Sequence, residues 1–313
     1  MSTNVSAGAG SSFGAGLPGA PVNLKGRSRP GESVIKAVLF VSAMLSVVIT
    51  FGIIAALIQP VIEFFADIAP SEFFSFDESS PFSVGPLIAA TMMSTAIALL
   101  VAVPLGLGAA MYLSEYASAR ARKVLKPTVE LLAGVPSVVY GFFAVMFVTP
   151  TLLKGFLALE ISFLNVLSAG LVLGVMIIPT IASLAEDALT AVPQALRQGS
   201  LAMGANRMQT TLRVVLPAAL SGVAAAIVLG LSRAIGETMI VTIAAGSMKN
   251  LSWDPREGMQ TMTGFMASTA GGENPVGSTS YNNLFAVGLT LFVITLVINI
   301  ISIALVRRFR QAY

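Results

Sequence analysis

Arg233 and Glu237 stand four residues apart inside an apolar run that extends from about Val214 to Ala245. A charge at the centre of a hydrocarbon layer is expensive, about 2.5 to 3.5 kcal/mol for Arg on insertion scales. Such residues face a protein interior or an aqueous cavity and are functional candidates by default. A spacing of four puts both on one helical face, one turn apart. The guanidinium offers five donors in a planar fork that fits two oxygens of a tetrahedral oxyanion. A carboxylate repels an anion unless it is paired or protonated. The spacing therefore predicts that Glu237 holds Arg233 while the site is empty and yields part of that bond to an arriving anion. Gly236 between them admits a close approach of backbone or ligand. A static buried pair that only fixes helix packing accounts for the same two residues.

A second constellation is Gly134-Val-Pro-Ser-Val-Val-Tyr-Gly141. Pro136 removes a backbone hydrogen bond, and Gly134 and Gly141 weaken the helix on either side. Broken helices inside membranes are tolerated where they line a cavity or are buried in protein. Freed N–H groups, Ser137 and Tyr140 then become candidates for contact with an anion. A kink that serves close packing, with glycine as the small interface residue, is the other reading. Glu130, just before this stretch, has Lys126 as its nearest candidate partner.

The elements that must hold these residues follow from composition. Of 313 residues 55% are apolar and only 11% charged, less than half the roughly 25% charged residues of a soluble domain. With a mean hydropathy of +0.85, the chain reads as an all-α integral membrane protein with lipid as its surroundings. There is no Cys and no His, which excludes disulfides, thiolate metal sites and the usual general base. No G-x-x-x-x-G-K-[ST] motif is present, so the chain is not itself a nucleotide hydrolase. Only scattered carboxylates remain, so no enzyme chemistry, cofactor or metal is indicated. The net charge of +3 does not point to nucleic acid, because the charges sit in short loops between apolar runs.

A spanning helix needs roughly 20 mostly apolar residues, and six runs qualify: Val34–Ile58, Val84–Leu113, Val129–Leu153, Phe163–Ala185, Val214–Ala245 and Asn283–Val306. Pro104 predicts a kink or break in the second. Residues 1–33, rich in Gly, Ser, Ala and Pro, read as a disordered cytoplasmic tail, and 34–310 as the transmembrane domain. With both ends inside, the inner segments hold fourteen of the eighteen Lys and Arg and the outer segments three, with Arg233 inside a span; this asymmetry sets the orientation. Residues 59–83, with five acidic and six Phe side chains, read as an outer connector with interfacial aromatics. Residues 246–282 form the longest outer loop and carry Trp253, the only Trp.

The inner segment 186–213 is polar yet helical in pattern, with Gly199 and Gly204 placed for close backbone approach or for a tight turn between two short helices. It resembles the cytoplasmic coupling loop of permease subunits of ATP-binding-cassette importers. In that family an EAA start is followed by a Gly, then after nine residues by a four-residue I-x-L-P end. Here Gln198-Gly199-Ser200 stands where the family has Glu-Ala-Ala, Gly204 matches the Gly, and Val214-Val215-Leu216-Pro217 matches the end. Further stretches narrow the resemblance: Glu130 to Gly141, Leu113-Ser-Glu-Tyr116, Arg233-Ala-Ile-Gly-Glu-Thr-Met239 and Thr261-Met-Thr263 are similar to phosphate-specific permeases of the PstC type. The resemblance covers roughly residues 34–310. It implies a type I importer bundle of six transmembrane helices that forms a path for inorganic phosphate. It also implies a homologous PstA-type permease as partner, two PstB-type ATPase subunits, with the 186–213 loop as a coupling helix seated in a groove of the ATPase subunit, and a PstS-type extracytoplasmic phosphate-binding protein. A permease for sulfate or molybdate is the near alternative. A secondary transporter is the distant one, though no internal repeat is visible.

Overall fold

Apolar runs in lipid must satisfy their own backbone hydrogen bonds, so they form helices. Every regular element in the computed structural model, which describes residues 30–308, is helical. The expected tail lies outside the described residues up to position 29, whereas positions 30–33 belong to the first helix, α1 (Pro30–Asp67). The chain divides into two units between Ile53 and Ile54. The sequence places the end of the first span near Ile58, but α1 runs on through Pro60 to Asp67. The outer connector 59–83 therefore begins as helix, and α2 (Pro70–Phe73) follows.

The second run forms α3 (Gly85–Met111), continuous through Pro104, and it ends in a π-helical turn over Tyr112–Tyr116. Of the expected kink or break at Pro104, the break is absent, since the helix runs on through it. The third run is shorter than expected. Residues Ala119–Ala133 are a separate amphipathic helix, α4, capped by Ser118, whose hydroxyl accepts from the Ala121 N–H at 3.2 Å. The apolar span starts only at α5 (Ser137–Phe143), which continues as π-helix through Ala144–Phe156. α6 (Val166–Thr190) is capped by Asn165 and is the most enclosed span. α7 (Gln194–Ala202), α8 (Arg207–Thr210), a π-helical turn (Thr211–Val215) and α9 (Leu216–Ala218) follow.

The fifth run departs most from expectation. It is broken twice, once at Ala219, where the Arg207–Ala218 and Leu220–Ile235 segments meet at 73°, and again at 236–238. α10 (Leu220–Ile235) and α11 (Met239–Ala244) are thus separate. α12 (Met262–Ala270) and α13 (Thr279–Arg308) complete the chain. Among the described residues five helices are long and apolar enough to cross a membrane, six if the bent pair counts as one span.

α6 is the axis of the core. Ala98, Leu173, Ile177, Ile181, Ala234 and Ile240 belong to one buried cluster around it. Gly174 lets α6 and α3 touch: a Cβ there would lie 2.8 Å from the Ala98 carbonyl oxygen. Small residues at crossings are how helices associate in lipid, where burial of apolar surface supplies no drive.

Candidate functional site

The first candidate region is the elbow in the fifth run. α10 ends at Ile235, and Gly236, Glu237 and Thr238 lie outside helix before α11 begins. The break takes Arg233 and Glu237 off a common helical face. Among the described residues they form no ion pair, which corrects the expected Arg–Glu bond. Instead Glu237 turns back on α11. Its Oε1 accepts from the backbone N–H of Met239 at 3.1 Å and of Ile240 at 3.3 Å, satisfying two donors that the start of a helix leaves open. Arg233 is exposed, with a long contact of 3.4 Å from its Nη1 to the Thr180 hydroxyl. Beside it, the Ser232 hydroxyl donates to Asn299 Oδ1 at 2.6 Å and ties α10 to α13. The guanidinium thus sits in the last turn of α10 with most of its fork uncommitted. Gly236, also exposed, has an ordinary φ of −86°.

The second stretch does break, as Gly134 and Pro136 predict: Gly134 caps α4 and Pro136 precedes α5. In an unbroken helix the N–H of residue 136 would bond the Leu132 carbonyl. Proline has no N–H, and the Tyr140 hydroxyl donates to that carbonyl instead, at 3.0 Å. Tyr140 is therefore a brace for the break, and its proton is already committed. Gly141 is buried where α5 crosses α11, and a Cβ there would meet Ile243 at 3.0 Å and Ile240 Cα at 3.4 Å. Ser137 is half-buried at the first position of α5. The expected Lys126–Glu130 pair is replaced by Lys126 bonds to Glu186 and Asp187 at 2.5 and 2.8 Å.

The third region is the 186–213 segment. α6 extends into it as far as Thr190, then α7 and α8 form the expected two short helices. Gly204, with φ +87°, makes the turn between them. A Cβ at Gly199 or Gly204 would meet nothing within 4 Å, so neither is a point of close approach within this chain; Gly204 is required for its dihedral. Asn206 and Gln209 form a reciprocal capping box at 2.8 and 3.0 Å, and Ser200 bonds Thr210 at 2.9 Å. Gln198, Gly199 and Pro217 are exposed, Leu216 half-buried. Pro217 stands two residues before the bend at Ala219. Leu201, Met203, Met208 and Leu212 are all exposed, Met203 at 89%.

Two buried charge clusters anchor this loop, and neither was legible in the sequence. Glu186, fully buried, accepts from Arg122, Lys126 and the Thr190 hydroxyl, binding α4 to α6. Arg197 in α7 bonds Glu115 at 3.0 Å and donates to the carbonyls of Leu189, at 2.7 Å, and Val192. These carbonyls lie at the end of α6, where open acceptors favour a cation. Arg207 sits 5.8 Å over the Tyr116 ring. The Leu113-Ser-Glu-Tyr116 motif is thus the receiver for the loop. A cleft of about 270 Å³ remains between them, lined by Glu115, Arg122, Gln194, Arg197 and Arg207 among others.

Comparison with known proteins gives a consistent picture. Residues 102–313 match the family described as binding-protein-dependent transport system inner membrane components. A probable ABC transporter permease protein, YqgH of Bacillus subtilis, is 36% identical over 219 residues, covering 70% of each chain. The phosphate transport system permease protein PstC 1 of Mycobacterium tuberculosis is 36% identical over 244 residues, covering 71% of this chain and 72% of that one. Among solved structures, a bacterial ABC transporter involved in the import of the acidic polysaccharide alginate superposes with a TM-score of 0.64 at 17% identity, covering 91% of this chain and all of that one. The MetNI methionine ABC transporter in an inward-facing form gives 0.55 at 21%, over 73% of this chain and 94% of that one.

Proposed function

The chain belongs to the binding-protein-dependent transport system inner membrane components, and from that membership we propose that it forms the membrane path for inorganic phosphate in an ATP-binding-cassette importer. The observation that carries the substrate is the similarity to a phosphate permease, 36% identical over 71% of this chain. The elbow supports it: Arg233 offers an uncommitted planar fork within an apolar span, the geometry suited to two oxygens of a tetrahedral anion. Phosphate passes unchanged, so the chain is not an enzyme, and partner subunits hydrolyse ATP.

Both termini, α4 and the α7–α8 loop lie on the cytoplasmic side in this reading, which the fourteen basic residues of the inner segments support. That loop, with Gly204 at its turn and Met203, Met208 and Leu201 exposed, is the docking element for a PstB-type ATPase subunit in the helix-in-groove manner, one of two such subunits in the assembly. A PstA-type permease completes the path, and a PstS-type binding protein delivers phosphate from outside. A labelled cysteine at Ser252 that reacts only from inside would overturn this topology.

Vesicles reconstituted with all subunits, ATP and labelled phosphate, with sulfate as competitor, test the substrate. Arg233→Gln is expected to abolish uptake while the complex still assembles; Arg233→Lys, which keeps charge and loses the fork, is expected to be partly impaired. Full uptake by Arg233→Gln would remove Arg233 from the path, and sulfate uptake in place of phosphate would overturn the substrate.

A further inference from the structure

The elbow between α10 and α11 is held from outside itself. Its central carbonyl, that of Glu237, accepts from the Thr263 hydroxyl at 2.7 Å. Thr263 is 5% exposed and lies in the first turn of α12. That turn is fixed on three sides. Thr261 caps it, accepting from the Gly264 N–H at 3.1 Å, and its hydroxyl lies 3.3 Å from that of Thr263. The Met262 N–H donates to the Thr91 hydroxyl of α3 at 3.0 Å, and the Met262 side chain is fully buried. Gly264 makes room for the cap itself, since a Cβ there would lie 3.0 Å from the Thr261 hydroxyl oxygen. Just before the turn, the N–H groups of Met259 and Gln260 donate to the carbonyls of Ala245 and Met248 at 2.8 and 3.0 Å. The 246–261 loop is therefore joined to the elbow by one short buried turn.

We propose that Thr263 is a positioning residue for transport: its hydroxyl sets the Gly236–Thr238 elbow, and with it the presentation of Arg233 on one side and the Glu237 cap on the other. The inference rests on the reading of Arg233 as part of the phosphate path. The Glu237 carbonyl faces the buried start of α12 through a part-buried bond, so the shape of the elbow there depends on the donor that reaches it. Thr263 is the side chain that reaches the Glu237 carbonyl, and it arrives from a different element, so the elbow and α12 move as one body. Removing the hydroxyl leaves the carbonyl buried without that donor, and the chain relaxes around it. Arg233, three residues before the break that ends α10, is then displaced from the geometry that a planar fork requires.

The test uses the full reconstituted complex with labelled phosphate. Thr263→Val, of the same shape without the hydroxyl, is expected to lower the maximal uptake rate about tenfold. The phosphate concentration for half-maximal rate should stay unchanged, because the binding protein sets it. Thr263→Ser should restore uptake and Thr263→Ala should not, a pair that differs by the hydroxyl alone and decides the matter even if the valine variant fails to assemble. In an Arg233→Lys background the valine should add less than a threefold further loss, since both changes act through the same group. Wild-type uptake by the valine or alanine variant would overturn the proposal, as would an undiminished tenfold loss in the Arg233→Lys background. A wild-type complex that carries sulfate instead would overturn the phosphate reading, and the same comparisons on sulfate would still judge Thr263.

Discussion

Glu115 and Arg197 stand 82 positions apart in the chain and 3.0 Å apart in space. The bond closes the α7–α8 loop onto the π-helical turn that ends α3, while the same guanidinium takes up two carbonyls at the end of α6. A force applied to α7 thus reaches α3 and α6 together, and these two spans cross closely at Gly170 and Gly174.

Removing Arg197 should be costly. Its side chain is 11% exposed and that of Glu115 is 9% exposed, and breaking such a pair leaves an uncompensated charge, a loss of about 3 to 5 kcal/mol. Arg197→Met is expected to lower the thermal midpoint of the purified chain by several degrees. Glu115→Gln should be milder, because the amide oxygen still accepts and the Arg197 cation, though it loses its counter-charge, keeps the Leu189 and Val192 carbonyls. Thermal unfolding of both variants in detergent measures this, and an unshifted midpoint for Arg197→Met would show the pair to be superficial.

Lys249 supplies a pH-dependent clasp in the 246–261 loop. Its Nζ donates to the carbonyls of Pro81, Ser83 at 3.0 Å and Ser80 at 3.5 Å, and lies 5.5 Å over the Phe265 ring. Burial pushes its pKa down from 10.5 to about 8. The folded value lies below the unfolded one, so the unfolded chain binds more protons across that interval. The contribution of this group to stability therefore rises with pH from about 8 to 10.5, and below 8 the fold bears the full cost of the buried charge. The ammonium that serves three carbonyls is correspondingly half lost near pH 8. Competitive acylation across pH 7 to 11 should show the Lys249 amine titrating near 8; titration near 10.5 would refute the burial effect.

The spans were legible because length and apolarity are enough to mark a helix in lipid. The break at 134–136 was legible because Gly134 and Pro136 announce it locally. The break at 236–238 was not. Gly236 alone marks it, the apolar character does not change there, and the groups that stabilise it are a carboxylate turned back on its own chain and a hydroxyl 26 positions away. A four-residue spacing was read as a shared face, and the elbow cancels that periodicity. The end of α4 was hidden for a related reason: Val129 to Val135 is apolar enough to pass for the start of a span. The charge clusters at Glu186 and Arg197 were invisible because each joins residues at least 60 positions apart, although the basic and acidic members were plain in the inner segments.

Because Arg233 and Glu237 are not bonded, their variants should behave independently. Glu237→Gln keeps an oxygen that accepts from the Met239 and Ile240 N–H groups, so it should fold normally and retain most uptake. Glu237→Leu is close in volume but cannot accept, and it leaves two donors at the start of α11 without their side-chain acceptor, a loss of about 0.5 to 2 kcal/mol for a missing helix cap. Since α11 packs through Ile240 and Ile243 against Gly141 of α5, the loosened helix should also disturb the Tyr140-braced break. The leucine variant is therefore expected to lose both stability and uptake, whereas Arg233→Gln loses uptake alone. A direct bond predicts the opposite order, with Glu237→Gln as damaging as Arg233→Gln because it would release the guanidinium. Uptake and thermal midpoints measured on all three variants in the same reconstituted complex separate the two arrangements, and equal loss of uptake in Glu237→Gln and Arg233→Gln would restore the ion pair as the working state.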